Sequence, residues 1–261
     1  MDKGSDLRVG LIQTALLWED RDANLDMFAS KLAQLEGKTD LAVLPEMFTT
    51  GFSMRPEKLA EQAGGKTLDW MITMASEKNM AITGSFIVTE SGNYYNRLYV
   101  VFPEGSYKQY DKRHLFRMGE ENKHYTGGVQ KMIFTLKGWR IFPLICYDLR
   151  FPVWSRNRGD YDLLIYVANW PESRRHVWNA LLVARALENQ CYVTAVNRIG
   201  KDGQQLTYAG DSVVVHPKGH AMSRTLPHED TVETVTLSME ELEGFRKKFP
   251  VAKDADDFVL K

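Results

Sequence analysis

RIFPLICYDLR, residues 140–150, contains an apolar run at 141–145 that is followed directly by a thiol, Cys146. A run without polar alternation is typical of a strand that is covered on both faces. Other short runs rich in β-branched or aromatic residues also predict strands, at 7–13, 41–44, 80–88, 97–102, 163–167, 191–197 and 211–216. Amphipathic stretches between them predict helices at 22–35, 68–78 and 177–189. This alternation predicts a mixed α/β layer protein.

Length and composition predict one globular domain over residues 1–261. The chain has 44% hydrophobic and 26% charged residues, close to the averages for globular proteins, and it contains no linker-like tract. Turns with proline and glycine at 103–106 and 216–219 predict hairpins, so some strands should pair antiparallel. The last stretch, 251–261, is largely acidic and is a possible extension that docks elsewhere, for example on a partner subunit.

Charge and hydropathy exclude several classes of partner. The 33 basic and 34 acidic residues give a net charge of -1, without the basic footprint that nucleic-acid binding needs. The charged start, residues 1–8, and the short apolar run 9–12 do not resemble a signal peptide, and no apolar run approaches the roughly 18 residues of a membrane span. We therefore expect a cytoplasmic protein without a membrane partner, in which Cys146 and Cys191 are not paired.

Three chemically useful side chains each follow an apolar or β-rich run. Glu46 comes after the run at 41–44, Lys112 after the run at 107–111, and Cys146 after the run at 140–145. The carboxyl ends of strands are where α/β sheets build their sites. If these strands are neighbours in one sheet, the carboxylate, the ammonium group and the thiol converge at a common edge.

Such a trio has a coherent chemistry. A thiol with an ordinary pKa near 8.5 is mostly protonated at neutral pH, so it needs a base or a nearby cation before it can attack. Glu46 could accept the proton. Lys112 would favour the thiolate and the oxyanion that forms when a carbonyl is attacked, and the backbone N–H of Tyr147 would complete an oxyanion site.

The segments around these residues resemble the signatures of a known family. Leu-Pro-Glu at 44–46, Tyr-Asp-Lys-Arg-His-Leu-Phe at 110–116 and Ile-Cys-Tyr-Asp-Leu-Arg-Phe-Pro at 145–152 look like the three signature segments of the nitrilase superfamily of carbon-nitrogen hydrolases. The resemblance continues at 95–96, 168–171, 184–190 and 210–212, so it covers nearly the whole chain. It implies a four-layer α-β-β-α sandwich and a triad of Glu46, Lys112 and Cys146. It also implies a second glutamate that orients the lysine and the amide, which we assign to Glu121 rather than Glu120.

The flanks of these segments, with Phe249-Pro250 and the acidic end at 254–258, are most similar to the bacterial omega-amidase branch. That resemblance implies hydrolysis of the side-chain amide of 2-oxoglutaramate or 2-oxosuccinamate without a cofactor, in a homodimer. An arginine suits the distal carboxylate of such a substrate. The candidates near the motifs are Arg113, Arg117, Arg150, Arg174 and Arg175, and aromatic candidates for the pocket wall are Phe48, Tyr125, Tyr147 and Trp170.

Other interpretations remain open at this stage. Within the superfamily the substrate could be deaminated glutathione, a carbamoylated amine or a nitrile, because pocket loops decide the substrate. From another class, a catalytically silent binding or redox protein could use Cys146 as an oxidisable thiol. We find no glycine-rich phosphate loop, no metal-ligand spacing among the six histidines and no Gly-x-Ser-x-Gly elbow, so we expect neither a nucleotide cofactor nor a metal. Cys191 is predicted to be an inward strand residue.

Overall fold

The computed structural model describes residues 5–259. In chain order its strands are β1 (Leu7–Gln13), β2 (Leu41–Val43), β3 (Glu61–Gln62), β4 (Ala81–Glu90), β5 (Asn93–Val101), β6 (Tyr107–Asp111), β7 (Phe134–Leu136), β8 (Trp139–Ile145), β9 (Leu163–Ala168), β10 (Tyr192–Asn197), β11 (Ile199–Lys201), β12 (Thr207–Ala209), β13 (Val213–Val215) and β14 (Thr231–Leu237). Its α-helices are α1 (Arg21–Leu35), α2 (Pro56–Leu59), α3 (Lys66–Lys78), α4 (Glu121–His124), α5 (Pro152–Ser155), α6 (Arg175–Asn189) and α7 (Met239–Lys248). Short 3₁₀ turns lie at Arg117–Gly119, Cys146–Arg150, Glu172–Arg174 and Val251–Asp254.

Two mixed sheets carry most of the strands. The seven-stranded sheet has the order β14-β1-β2-β4-β5-β6, with β3 added beside β4, and the five-stranded sheet has the order β13-β10-β9-β8-β7. In both sheets the central strands are parallel, namely β1, β2 and β4 in one and β8, β9 and β10 in the other. Parallel strands are covered on both faces, which explains why several of the runs that predicted them, such as 163–167, are apolar throughout.

The core shows how the layers stack. Because successive side chains of a strand point to opposite faces, Leu41 and Val43 of β2 join the cluster that also contains the five-stranded sheet, whereas Ala42 joins α1 and α3 on the other face. Helix α6 packs its buried residues, among them Trp178 and Leu182, against the five-stranded sheet. The layers are therefore helix, sheet, sheet and helix, which confirms the predicted α-β-β-α sandwich.

A glycine in β1 sets the distance between the first two layers. A Cβ atom on Gly10 would lie 2.8 Å from Cδ1 of Leu35, so only glycine lets the end of α1 come this close to the sheet. A residue with a side chain here would push the helix away from the strand. The close approach keeps the apolar face of α1 buried.

The structure changes some of the predicted boundaries. Strand β5 begins at Asn93 rather than at 97, because it pairs with β4 through a tight hairpin in which Asn93 lies opposite Glu90. Strand β13 begins at Val213 rather than at 211, since Gly210 and Asp211 adopt φ values of 80° and 56° that a strand cannot contain. The hairpin turns predicted at 103–106 and 216–219 are confirmed by backbone hydrogen bonds that close them.

Two elements near the end of the chain were not predicted. Strand β14 pairs antiparallel with β1 at the edge of the seven-stranded sheet, and helix α7 follows it. Most of β14 is only half-buried, so its sequence lacks the continuous apolar run of a central strand. Within residues 5–259, no helix combines the length and apolarity that crossing a bilayer requires.

The C-terminal stretch contacts its own chain. Nη2 of Arg158 lies 2.7 Å from Oδ1 of Asp257, and Nη1 of the same arginine donates to the carbonyl oxygen of Phe258. These contacts place the described end of the stretch against Arg158, and docking of the extension elsewhere, for example on a partner subunit, stays a prediction. Its last two residues, Leu260 and Lys261, lie outside the described residues, as do residues 1–4 at the start.

Candidate active site

The three polar side chains converge between two sheets. Glu46 follows β2 and Lys112 follows β6, and in the seven-stranded sheet these strands are separated by β4 and β5. Cys146 follows β8, which belongs to the facing five-stranded sheet. The condition that the three strands are neighbours in one sheet is therefore not met, because an apolar run does not reveal which sheet a strand joins. Face-to-face packing of the sheets brings the three residues together instead.

Lys112 lies at the centre of this cluster. Its Nζ donates to Oε1 of Glu46 at 2.8 Å and to Oε1 of Glu121 at 3.0 Å, and all three side chains are fully buried. Burial by itself lowers the pKa of an ammonium group, but the charges of Glu121 and Glu46 outweigh burial and raise the pKa of Lys112 above its usual value. The cation is therefore present at every physiological pH.

Glu46 is held by two asparagines from different sheets. Nδ2 of Asn96 donates to Oε1 of Glu46 at 2.8 Å, and the backbone N–H of Asn169 donates to Oε2 at 2.8 Å. The side chain of Asn169 also donates to the carbonyl oxygen of Glu46. Both carboxylate oxygens are therefore fixed by donors, which locks the rotamer of a residue that faces the thiol.

Glu121 and Glu120 occupy different environments. Glu121 is buried, and its Oε2 accepts the backbone N–H of Phe116 at 2.6 Å in addition to its contact with Lys112. Burial and the nearby Glu46 raise the pKa of Glu121, whereas Lys112 acts in the opposite direction. Glu120 is exposed and pairs with Lys123. The buried position of Glu121 fits the assignment made from the sequence, and its role stays a prediction.

Cys146 begins the turn that follows β8 and has an unusual backbone conformation. Its φ is 43°, a left-handed value that is costly for a residue with a side chain and that clusters at functional sites. The residue is 9% exposed and lines a cavity. Burial, followed by the charge of Glu46, raises the pKa of the thiol, and Lys112 opposes them. The thiol is thus protonated at neutral pH until a base takes its proton.

Cys191 differs from Cys146 in each of these respects. It is fully buried directly before β10, it does not line the cavity, and burial raises the pKa of its thiol. The two cysteines form no disulfide. Cys191 is accordingly a small core residue, which is the environment that the sequence predicted for it.

A cavity with an empty volume of about 680 Å³, partly open to solvent, lies above Cys146 and Lys112. Four of the residues predicted for substrate binding line it, namely Tyr147, Trp170, Arg150 and Arg174. The other lining residues are Phe52, Met54, Phe116, Gly119, Asn169, Pro171, Asp202, Gln204, Leu206 and Tyr208. The wall is mostly apolar and aromatic with a few convergent polar groups, as small-molecule sites usually are.

Phe48 and Tyr125 do not line this cavity, so their prediction as pocket walls is wrong. Phe48 is fully buried under the seven-stranded sheet and packs edge to face on Phe28, with ring centroids 5.4 Å apart. Tyr125 packs with Met47, and its hydroxyl donates to the carbonyl oxygen of Ser53 at 2.6 Å. Both rings pack in the protein interior next to segments of the site. A position close to a motif in the sequence does not show whether a ring faces the cavity or the interior.

The sequence profile of the carbon-nitrogen hydrolase family matches residues 8–247, which is nearly the whole chain. The chain belongs to the carbon-nitrogen hydrolase family. This confirms the resemblance to the nitrilase superfamily that the motifs indicated, and with it an enzyme that hydrolyses carbon-nitrogen bonds other than peptide bonds.

Two relatives and one solved structure are similar to this chain over most of its length. The chain is 48% identical over 255 residues to Omega-amidase YafV of Escherichia coli (strain K12), a match that covers 97% of this chain and 98% of that one. It is 33% identical over 220 residues to the 2-oxoglutaramate amidase of Bacillus subtilis (strain 168), a match that covers 82% of this chain and 84% of that one. The solved structure is that of XC1258 from Xanthomonas campestris, a CN-hydrolase superfamily protein with an arsenic adduct in its active site. It matches with a TM-score of 0.96 and 44% identity and covers 98% of this chain and 100% of that one.

Sequence reasoning missed several residues of the site in this carbon-nitrogen hydrolase. Asn96 and Asn169 stand in segments that carried the family resemblance, but nothing in the sequence shows that both reach Glu46. The hairpin of β11 and β12 was also missed, although it brings Leu206 and Tyr208 to the cavity. Its strands have three residues each, so they are too short to show a hydrophobic period.

Proposed function

We propose that this carbon-nitrogen hydrolase is an omega-amidase that converts 2-oxoglutaramate or 2-oxosuccinamate and water to the 2-oxo acid and ammonia. The observation that carries the proposal is the buried Lys112 bound by Glu46 and Glu121 beside Cys146, where Lys112 and Cys146 both line a mostly apolar cavity. The Escherichia coli and Bacillus subtilis relatives, named omega-amidase and 2-oxoglutaramate amidase, support the choice of substrate.

The first half of the reaction uses Glu46 as the base. It takes the proton from Sγ of Cys146 as the sulfur attacks the amide carbon. Because the pKa of the resting thiol is raised, the thiol loses its proton only when a bound substrate accepts the sulfur. The oxyanion that forms is stabilised by Nζ of Lys112 and by the backbone N–H of Tyr147. The protonated Glu46 gives its proton to the leaving nitrogen, the C–N bond breaks, and ammonia leaves a thioester on Cys146.

The second half repeats the proton transfers with water. Glu46 takes a proton from a water molecule that attacks the thioester carbon, and the same oxyanion site stabilises the second intermediate. The C–S bond then breaks, the carboxylic acid is released and the thiol is restored. Glu121 keeps Lys112 in place through both halves and presents an oxygen that can orient the amide NH₂ group.

Two arginines of the cavity wall are suited to the distal carboxylate of the substrate. The guanidinium carbon of Arg150 lies 5.3 Å from the ring centre of Trp170, and that of Arg174 lies 5.3 Å from the ring centre of Phe116. Among residues 5–259, neither arginine has a carboxylate within salt-bridge distance. Arg175, by contrast, is occupied by Asp211 at 2.7 Å. We propose that Arg150 and Arg174 bind the carboxylate.

Replacing either cavity arginine by glutamine is expected to raise KM for 2-oxoglutaramate with little change in kcat. A charged hydrogen bond contributes about 1.5–3 kcal/mol, which corresponds to a KM about 10 to 150 times higher. Arg175→Gln is the matched control, because this neighbour of Arg174 pairs with Asp211 outside the cavity lining. Steady-state kinetics on the three variants measure the effect. Unchanged KM in both Arg150→Gln and Arg174→Gln would remove these residues from the substrate site.

The substrate itself is tested by measuring ammonia release from several amides under the same conditions. We expect turnover of 2-oxoglutaramate and 2-oxosuccinamate with kcat/KM well above that for deaminated glutathione, a carbamoylated amine or a simple nitrile. A clear preference for one of those other compounds would reject the omega-amidase assignment while leaving the cysteine chemistry in place. Absence of ammonia from every substrate, with intact protein, would favour the non-catalytic thiol protein instead.

We also propose that the enzyme is a cytoplasmic homodimer. Helix α6 presents an outer stripe with Ala180 and Leu187 exposed and Val183 half-buried, an apolar face that a second copy could cover. The catalytic role of a free thiol supports a reducing compartment, where it stays unoxidised.

A further inference from the structure

Asp148 is a fully buried carboxylate in the turn that begins with Cys146. Its Oδ2 accepts the hydroxyl of Tyr110 at 2.8 Å and the backbone N–H of Ile145 at 3.1 Å. Its Oδ1 lies 2.8 Å from Nδ1 of His114 and accepts the backbone N–H of the same histidine at 3.0 Å. Two oxygens therefore serve four hydrogen-bonding groups, and the mechanism described above uses none of them.

These partners belong to both halves of the site. Ile145 directly precedes Cys146 in the five-stranded sheet, whereas Tyr110 and His114 lie two residues before and two residues after Lys112. Packing between the sheets is apolar and non-directional, so it does not determine where one segment lies along the other. Hydrogen bonds do, because they require short distances and near-linear geometry. Asp148 is thus a direct polar link between the nucleophile turn and the lysine segment.

The orientation of Tyr110 makes the link specific. Its hydroxyl oxygen accepts the backbone N–H of Arg113 and Nε1 of Trp154, both at 3.2 Å, so its single hydroxyl hydrogen is committed to Asp148. The imidazole of His114 is likewise held, since it stacks on Phe151 with ring centroids 3.8 Å apart. Neither partner can turn away without giving up its own contacts.

We propose that Asp148 is a positioning residue that fixes the Cys146 sulfur relative to Lys112 and Glu46. The proposal rests on the proposed function, in which Cys146 attacks the amide. The left-handed backbone of Cys146 is a costly conformation that persists only where the surroundings enforce it. The bond from the N–H of Ile145 to Asp148 enforces it from one side, and the bonds to Tyr110 and His114 anchor Asp148 itself.

The test is the Asp148→Asn variant, which keeps the size of the side chain but replaces one acceptor oxygen by an NH₂ group. That group must face either the donors of Tyr110 and Ile145 or the backbone N–H of His114, so at least one of the four contacts is lost. We expect kcat for the amide to fall about 100-fold, as a displacement of roughly 1 Å at a reacting atom does. KM should stay within about threefold, because Asp148 does not line the cavity.

Asp162→Asn is the matched control. Asp162 is also a buried aspartate of the five-stranded sheet region, and it accepts from Arg140 and Arg246 directly before β9, at the opposite end of these strands from Cys146. The Asp162→Asn variant should be less stable than the wild type but keep its kcat. An equal loss of kcat in both variants would overturn the proposal, because it would show a general effect of removing a buried charge.

A second variant keeps the test decisive if Asp148→Asn does not fold. Tyr110→Phe removes one donor and leaves the carboxylate, so kcat should fall by a smaller factor with KM again unchanged. Wild-type kcat in a folded Asp148→Asn or in Tyr110→Phe would overturn the proposal. The rate at which iodoacetamide alkylates Cys146 tests the positioning role of Asp148 independently of the amidase function. If the wild type shows no amidase activity, the proposed function is rejected. Alkylation that is slower in Asp148→Asn than in the wild type and Asp162→Asn would still support the positioning role.

Discussion

Cys146→Ala is expected to lower the rate of ammonia release from 2-oxoglutaramate by at least about 10⁴-fold, as removal of a catalytic nucleophile generally does. No other described side chain can replace the sulfur, because the neighbouring polar groups, Glu46, Lys112 and Glu121, are bound to one another. Binding should persist, since the wall that includes Tyr147 is unchanged. The measurement is kcat at saturating substrate, with KM or calorimetry as the measure of binding.

Cys191→Ala is the control for this prediction. It removes a sulfur that is fully buried and does not line the cavity, so the variant should lose stability by the amount of a small core deletion and keep its kcat. Turnover that survives in Cys146→Ala would contradict the assignment of the nucleophile. So would an equal loss in the two variants, which would point to damage of the fold.

Glu46→Gln is expected to lower kcat by about 10²- to 10⁴-fold, which is the usual contribution of a general base. Without the Glu46 carboxylate, no base among residues 5–259 is hydrogen-bonded to the thiol, and burial keeps the pKa of that thiol high. The substitution also places an NH₂ group against donors, because Oε1 of Glu46 accepts from Lys112 and Asn96 and Oε2 accepts from Asn169. We therefore expect a further loss of about 1–3 kcal/mol in the free energy of unfolding.

Glu61→Gln separates the catalytic loss from the structural one. Glu61 is also a buried glutamate that accepts two hydrogen bonds, both from Thr67 in the first turn of α3, but it does not line the cavity. Chemical denaturation should show a comparable destabilisation in both variants, and only Glu46→Gln should lose kcat. If Glu46→Gln were destabilised but fully active, Glu46 would be a structural ligand of Lys112 and not the base.

The sequence predicted the main elements of the fold because their signals are local. Buried parallel strands such as β2 and β9 are continuous apolar runs, and α1 places Leu25, Phe28, Leu32 and Leu35 on one face at helical spacing. The position of Glu46, Lys112 and Cys146 just beyond strand ends is also local, so each could be proposed as a site residue before the structure. Glu121 could be chosen over Glu120 from its place in the motif, and the structure adds the reason, which is burial against Lys112.

What could not be predicted depends on contacts between distant residues. The assignment of β8 to a different sheet from β2 and β6 is decided by pairing with β9, some twenty residues later in the chain. Phe48 lies close in sequence to Glu46, yet its ring points into the layer under the helices, which no neighbour in sequence reveals. Edge strand β14 was missed because a half-buried strand has no strong apolar pattern.

The polar network around the site was hidden for the same reason. Asn96 and Glu46 are 50 residues apart, and Asn169 and Glu46 are 123 residues apart, so their hydrogen bonds appear only when the sheets are packed. Three of the four contacts of Asp148 likewise join residues 34 to 38 positions apart, and the fourth comes from Ile145, three residues before it. Sequence reasoning proposed the groups that react, and the structure adds the groups that hold them.

The most direct test of the proposed chemistry is the mass of the protein during turnover. Wild-type enzyme that is mixed with 2-oxoglutaramate and quenched rapidly in acid should gain the mass of the substrate minus that of ammonia. After proteolysis, this acyl group should be found on the peptide that contains Cys146. The adduct should be absent from Cys146→Ala. An acyl group on any other residue, or one that still forms in Cys146→Ala, would contradict the thioester mechanism.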